Sequence, residues 1–425
     1  MSEPPLMPAR SQTPCRAGCA CLLLVFALAA PLGAQSAPKP PSSDDCLACH
    51  QDPEFKRGDG RSAFVDPQKF GESIHGGLGC VDCHADLSAL AEYPHAEKLK
   101  KVDCATCHTD PIAQYRKSIH AQARAGDPAS PAATCVDCHG MHDIKPSADS
   151  SSRTYQLNLP DTCGHCHGNP DIIKRGHIEI GDVMSLYQDS IHGRAISRSG
   201  LTVAPNCSDC HGVHDIERLS APGSLVNRRN VPATCGRCHE GVKHQYDASV
   251  HGLQLASGNL TAPECHDCHT AHDIQRADTE SWRLDVIREC GTCHVESIRT
   301  YRDTFHGQVT ALGFTRVAMC ADCHTAHEIY PKSDLRSAVS EVNLVTTCKR
   351  CHEGATPGFV KYDPHADKEN HARNPFLYYT GRFMKSLLMF VFGFFGLHTT
   401  LWVAREARHR RARHDRPAGN GEAKA

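Results

Sequence analysis

A fold of short helices and long coil wrapped around covalently attached groups, with little or no β-sheet and one C-terminal transmembrane helix, is predicted by three features of the sequence. The pentad Cys-x-x-Cys-His occurs eleven times. Histidines, 30 in all, recur at fixed intervals behind those pentads. A 22-residue, mostly apolar run lies close to the C-terminus.

The pentads are Cys46, Cys49 and His50; Cys80, Cys83 and His84; Cys104, Cys107 and His108; Cys135, Cys138 and His139; Cys163, Cys166 and His167; Cys207, Cys210 and His211; Cys235, Cys238 and His239; Cys265, Cys268 and His269; Cys290, Cys293 and His294; Cys320, Cys323 and His324; and Cys348, Cys351 and His352. They take up 22 of the 25 cysteines. Two thiols at this spacing add across the two vinyl groups of one haem, and the adjoining His reaches the iron from the same face. Zinc also binds paired cysteines, but it does not require a His directly after the second Cys eleven times over. The pattern predicts a multihaem cytochrome with eleven covalently bound c-type haems.

Composition agrees. Aromatic residues are only 6%, while Gly numbers 32 and Pro 26. Such a chain buries too little apolar surface of its own to offset its ordering entropy, so the macrocycles must act as the core. The formal charge of −2 becomes clearly acidic once each haem adds two propionates, which gives a nucleic-acid-binding role no support.

Residues 1–34 read as a secretory signal peptide, with Arg10 and Arg16 ahead of a short apolar stretch at 19–30 and a cleavage position after Ala34. The three remaining cysteines, Cys15, Cys19 and Cys21, fall inside it. Residues 35–45 form a Pro/Ser-rich linker. Residues 46–371 are then an internal repeat of five two-haem units and a one-haem remnant, on the periplasmic side.

The pentads are of two kinds. Five carry Asp before the second Cys, namely Asp82, Asp137, Asp209, Asp267 and Asp322. That Asp has two open readings, orienting the haem His or capping a helix. Four of these five are followed three residues later by another His: His142, His214, His272 and His327. A His so close sits on the wrong side of its own haem, so it must reach a neighbouring one. The other six pentads lead into a helical-looking segment that ends in a further His. The interval is 12 residues for His108 to His120, His239 to His251 and His294 to His306, and 25 for His50 to His75 and His167 to His192. Each interval ends in an aromatic-led motif, such as Tyr115…Ser118-Ile119-His120, and 12 helical residues would make one rigid rod of about 18 Å. His365, 13 residues beyond His352, reads as the same kind of ligand. His95 is the nearest substitute in the first repeat. The distal candidates are therefore His75, His95, His120, His142, His192, His214, His251, His272, His306, His327 and His365. They equal the haems in number, so every iron is expected to be bis-His and closed. His165, His177, His244, His266 and His371 have no assigned role.

Residues 372–404 form a membrane-proximal segment and a transmembrane helix, whose 22 apolar residues, 383–404, span about 33 Å. Tyr378, Tyr379 and Trp402 are interface aromatics, Lys385 snorkels outward, and Gly393, Gly396 and Thr400 allow close helix contact. The basic tail, 405–425, holds Arg405, Arg408, Arg410, Arg411, Arg413 and Arg416, which places the C-terminus in the cytoplasm and the haems on the periplasmic face of a bacterial inner membrane. His398 lies within the span, where an ionisable side chain is costly. It reads either as a ligand to a b-type haem or quinone contact shared with a membrane partner, or as part of a structural helix interface.

The alternating Cys-x-Asp-Cys-His-x-x-His and Cys-x-x-Cys-His pentads across 46–370 resemble the paired-haem, cytochrome c3/c7-like multihaem cytochromes of anaerobic respiratory bacteria. The run from Asp363-Pro364-His365 into Phe395-Gly396-Leu397-His398 resembles the membrane tail of members paired with a b-type, quinol-reactive cytochrome subunit. That resemblance implies an electron carrier between a quinol-oxidising cytochrome b partner and periplasmic or outer-membrane redox proteins, in either direction. A rival class is a multihaem reductase of a nitrogen or sulfur oxyanion. It needs an open iron, often marked by Lys in place of a pentad His, and all eleven pentads here end in His. A third is a scaffold subunit of a larger respiratory complex.

Overall fold

The computed structural model describes residues 39–90 and 92–415. The expected signal peptide, part of the linker and Arg416 lie outside the described residues. The chain divides into two compact units, Met1–Ala48 with Gly79–Val102, and Cys49–Leu78 with Asp103–Ala425.

Among the described residues the architecture is short helices joined by coil, as expected. Apart from the last, the longest helix is Glu280–Cys293, at 14 residues. Extended pairing among the described residues is confined to an isolated antiparallel bridge between Lys56 and Ser62. The apolar core built by side chains is small: Ile287, Tyr301 and Met319 cluster with Ile298 and Cys320 against them. Buried polar groups such as Ser118, Ser190, Ser249 and Asn206 are as characteristic of the interior as its aliphatics.

The coil is held by side chains that satisfy backbone groups, as buried irregular chain requires. Ahead of three pentads an Asn amide donates to two carbonyls: Asn158 to Ser150 and Ser152, Asn230 to Pro222 and Ser224, and Asn343 to Leu335 and Ser337, at 2.7–3.0 Å. The residue just before the first Cys repeats this role. The hydroxyls of Thr162, Thr234 and Thr347 donate to the carbonyls of Arg153, Leu225 and Ala338.

The rod expected across each 12-residue interval is instead two helices. Thr109–Tyr115 is followed by Ile119–Gly126, Glu240–Ala248 by Val250–Ala256, and Val295–Asp303 by Phe305–Ala311. The break falls on the Ser or Thr of the motif. Ser118 is extended, with φ −68° and ψ 155°, and its hydroxyl accepts the Ala121 N–H. An N-cap residue needs extended backbone, so a good cap in mid-segment starts a new helix instead of continuing the old one. Ser190, Ser249 and Thr304 repeat the geometry, accepting from Gly193, Gly252 and Gly307. A Cβ on those three glycines would stand 1.9–2.2 Å from the carbonyl oxygens of Tyr187, Tyr246 and Tyr301. The second repeat carries Ala121 there.

The C-terminal helix, Pro375–His414, is 40 residues long and apolar enough to cross a membrane. At about 60 Å it exceeds the bilayer core. Its ends depart from the sequence division at 404: the basic segment continues the helix to His414, because no Gly or Pro intervenes after Gly396. Arg410 adds an i,i+4 ion pair to Glu406 at 2.9 Å.

Candidate haem sites

The Asp-type pentads fold as a turn of helix, and their Asp is the cap. Its Oδ2 accepts the backbone N–H three residues earlier: Gly79 to Asp82, Thr134 to Asp137, Asn206 to Asp209, Glu264 to Asp267 and Met319 to Asp322, at 2.6–2.8 Å. Of the two readings left open by the sequence, the geometry selects capping.

The tyrosines that lead the candidate distal-His motifs also have a definite role, which their spacing alone does not reveal. Tyr115, Tyr187, Tyr246 and Tyr301 donate their hydroxyls to the carbonyls of Ala133, Pro205, Pro263 and Ala318, at 2.7–3.0 Å. Each acceptor lies two residues before an Asp-type pentad. The Tyr therefore ties the distal-His segment to the pentad that follows it. A second tie is on the backbone: Ile74, Ile119, Ile191 and Val250 donate their N–H to Ile144, Ile216, Ile274 and Ile329, each at 2.8 Å. Every donor there precedes a candidate distal His, and every acceptor lies two residues after a short-spaced one.

These ties bring histidines together in twos. Among the described residues nine pairs of imidazoles lie together with ring centres 5.9–6.3 Å apart: His75 with His108, His120 with His167, His139 with His214, His192 with His239, His211 with His272, His251 with His294, His269 with His327, His306 with His352, and His324 with His365. Every pair joins one pentad His to one His outside the pentads. In these pairs the long-interval histidines face the non-Asp pentad of the following unit, and His214, His272 and His327 face the Asp-type pentad of the preceding unit. His365 departs from its expected class. It faces His324, so it takes the place of a short-spaced His. Its Nδ1 lies 3.0 Å from the Thr300 hydroxyl.

In the first repeat, His50 bonds through Nδ1 to the Ala63 carbonyl at 2.7 Å, His95 to that of Ala96 at 2.8 Å, and His142 stands edge-on to Phe70.

Burial holds many of the paired imidazoles below their ordinary basicity, among them His120, His139, His167, His192, His251, His269, His324 and His327. For His211, burial and then the facing His272 push the value down to about 4. A neutral imidazole is the form that binds a metal.

The cysteines form a second pattern. The first Cys of each Asp-type pentad touches the first Cys of the pentad before it: Cys80 with Cys46, Cys135 with Cys104, Cys207 with Cys163, Cys265 with Cys235, and Cys320 with Cys290. For Cys163, Cys265 and Cys320 the partner thiol is the leading cause of a raised value. Cys138, Cys210, Cys268 and Cys323 are in turn within electrostatic range of Cys166, Cys235, Cys290 and Cys348. Between Cys104 and Cys351 the pentads thus follow one another in space in their sequence order.

Part of the chain resembles a known c-type cytochrome. It is 28% identical over 137 residues to the cytochrome c-type protein NrfB of Escherichia coli O6:H1, a match covering 29% of this chain and 67% of that protein. No protein-family model and no solved structure matches the chain. The similarity and the paired cysteines support covalent c-type haems and an electron-transfer role.

The residues fit such groups. A metal between two imidazoles, with a bond of roughly 2 Å on each side and about 1 Å from each nitrogen to its ring centre, separates the centres by about 6 Å. Among the described residues no three His, Cys, Asp or Glu side chains converge as a metal-binding group of the zinc type. Arg228 and Arg283 hold equivalent places, bonded to Asp267 and Asp322, and each leaves a buried Nε–H without an acceptor. Such orphan donors suit a carboxylate brought by the cofactor.

On the C-terminal helix His398 is exposed. The Thr400 hydroxyl bonds back to the Gly396 carbonyl at 2.8 Å, which satisfies it within its own helix. Lys385 pairs with Glu369, on the N-terminal side of the helix, at 2.8 Å.

Proposed function

We propose that the chain is a membrane-anchored undecahaem c-type cytochrome that relays electrons between a quinol-oxidising cytochrome b partner and periplasmic or extracellular acceptors in anaerobic respiration. The observation that carries this reading is the nine facing pairs, each made of one attachment His and one other. For the haems at Cys46 and Cys80 the sequence count stands, with His95 and His142 as the remaining candidates. When bound, the haems supply one-electron chemistry at closed, six-coordinate irons. The protein's part is to fix neighbouring sites in order, through the capped Ser and Thr turns, the Tyr ties and the backbone bonds between units.

The succession of contacting cysteines supports a linear path that ends at Cys348 and Cys351, the pentad closest in sequence to the membrane helix. Similarity to a c-type cytochrome supports redox partners in a respiratory chain, and the long apolar helix supports an anchor. The orientation is proposed from the arginines at 405–413 by the positive-inside rule. His398 is the proposed contact to a b-type haem or quinone held by the partner.

The test is the spin state of the oxidised holoprotein. A relay with closed irons is expected to be low-spin throughout and inert to cyanide and nitrite. A stoichiometric high-spin haem, or one iron that binds either anion, would replace this reading with the reductase.

A further inference from the structure

The pentad at Cys265 differs from its four Asp-type counterparts. The residue before the first Cys is Gly79, Thr134, Asn206 or Met319 in those, and none of these ionises. Here it is Glu264, whose side chain is 0% exposed. Glu264 Oε2 accepts the backbone N–H of His266 at 3.0 Å. Oε1 is buried without an aligned hydrogen-bond donor, and abuts His266 Nδ1. His266 is the second residue of the pentad, with a side chain 42% exposed. The Cys265 sulfur beside them touches that of Cys235.

The other charged and titratable groups facing the pair are Arg228, Asp267 and Tyr246. Arg228 is 3.9 Å from Glu264 Oε1 but bonded to Asp267, and the Nε2 edge of His266 is 4.0 Å from Asp267 Oδ1. Tyr246 gives its hydroxyl to Pro263. One guanidinium thus stands against two carboxylates, and the nearer carboxylate already engages it. A fully buried carboxylate with an unmatched oxygen is costly, and the group placed to relieve it is His266, whose outer edge meets water. The Glu264 contact outweighs burial, which acts the other way, and raises the basicity of His266.

We infer that Glu264 and His266 form a protonation station coupled to reduction of the haem held by Cys265 and Cys268. The inference rests on the reading of the pentads as haem sites and adds a proton to the relay. With that haem bound, one electron taken from a reduced neighbouring haem would remove one positive charge from the site beside the pair. One proton leaves water, enters through the exposed edge of His266 and forms an N–H bond, so the pair passes from singly negative to neutral. Oxidation reverses both steps. The reduced state is then favoured at low pH, and the potential of this haem falls as pH rises, by at most about 59 mV per pH unit for one proton per electron.

The experiment is electrochemical reduction of the detergent-solubilised holoprotein in weak buffer, with proton uptake read between pH 6 and 8. The variants are His266→Asn and Glu264→Gln, with haem content checked by mass. Wild type is expected to take up one proton per chain more than either variant on full reduction. Equal uptake by wild type and His266→Asn overturns the inference. If Glu264→Gln assembles poorly, His266→Asn, at a part-exposed position, decides alone. A wild-type chain lacking the haem at Cys265 by mass would overturn the haem reading of that pentad itself, a result distinct from equal uptake.

Discussion

His214 faces His139 with ring centres 6.1 Å apart and planes within 25°, although His214 lies three residues from a different pentad His, His211. His211 in turn faces His272, at 5.9 Å and 10°. A short-spaced His therefore stitches its own unit to the one before it. His214→Ala should open the haem at Cys135 and Cys138 and leave the one at Cys207 six-coordinate. One high-spin haem per chain is expected, by resonance Raman or electron paramagnetic resonance. Adding Cys135→Ser and Cys138→Ser should abolish that signal. Its survival in the triple variant would mean that His214 serves another iron.

The turn that delivers the long-interval histidines is equally exposed to test. A Cβ on Gly252 would sit 2.2 Å from the Tyr246 carbonyl oxygen, and Gly252 directly follows His251. Gly252→Val must push the capped turn at Ser249 apart and withdraw His251 from His294. The expected outcome is one high-spin haem, or loss of the haem at Cys290. Ala121→Gly, at the position where the second repeat already holds a Cβ, is the control and should leave every haem low-spin. Ser249→Ala removes only the cap and should cost about 1 kcal/mol, read from thermal unfolding followed in the Soret band.

The contrast between these sites explains what the sequence could tell. The pentads are legible because haem attachment fixes their spacing chemically. The candidate distal histidines are legible because they recur. The partner of each is not, since it depends on bonds such as Ile119 N–H to the Ile216 carbonyl, between segments 97 residues apart. His365 shows the limit: its interval of 13 residues after His352 suggested one class, and its contact with His324 put it in the other. The rod was misread for a local reason. A one-residue excursion to extended backbone at Ser118 leaves the helical spacing on either side intact, so periodicity alone does not reveal the break. The tie from Tyr187 to Pro205 had a signal in the sequence, the fixed placement of an aromatic residue, Tyr in four of the five motifs, three positions ahead of each Ser or Thr, but spacing does not name a carbonyl acceptor.

The Asp of the Cys-x-Asp-Cys-His pentads separates stability from ligand electronics. Asp137 Oδ2 accepts both the backbone N–H and the hydroxyl of Thr134, each at 2.6 Å. Asp137→Ala is expected to cost about 1 kcal/mol of stability through the lost cap. The low-spin spectrum and the midpoint potential of that haem should not move. A shifted potential with unchanged unfolding would instead assign Asp137 to orienting His139.

His398 is the one ionisable side chain in the middle of the apolar run, and its helix is exposed along its length. A lone helix would leave its imidazole facing lipid, at a cost of several kcal/mol for an unsatisfied polar group. A partner that supplies an iron, a quinone or a hydrogen-bonding helix removes that cost. These partners differ in what His398→Leu does. If the imidazole binds a b-type haem or quinone, the variant should keep its full c-type haem content while b-haem content or quinol-linked reduction of the purified complex falls. If it only bonds a neighbouring helix, co-purification weakens or stays the same, and quinol-linked reduction per assembled complex is unchanged. His398→Gln keeps a hydrogen-bonding group of similar size without the ring, so rescue by Gln but not by Leu selects the structural role. Loss with both selects ligation or quinone contact, and places the electron entry beside the membrane helix.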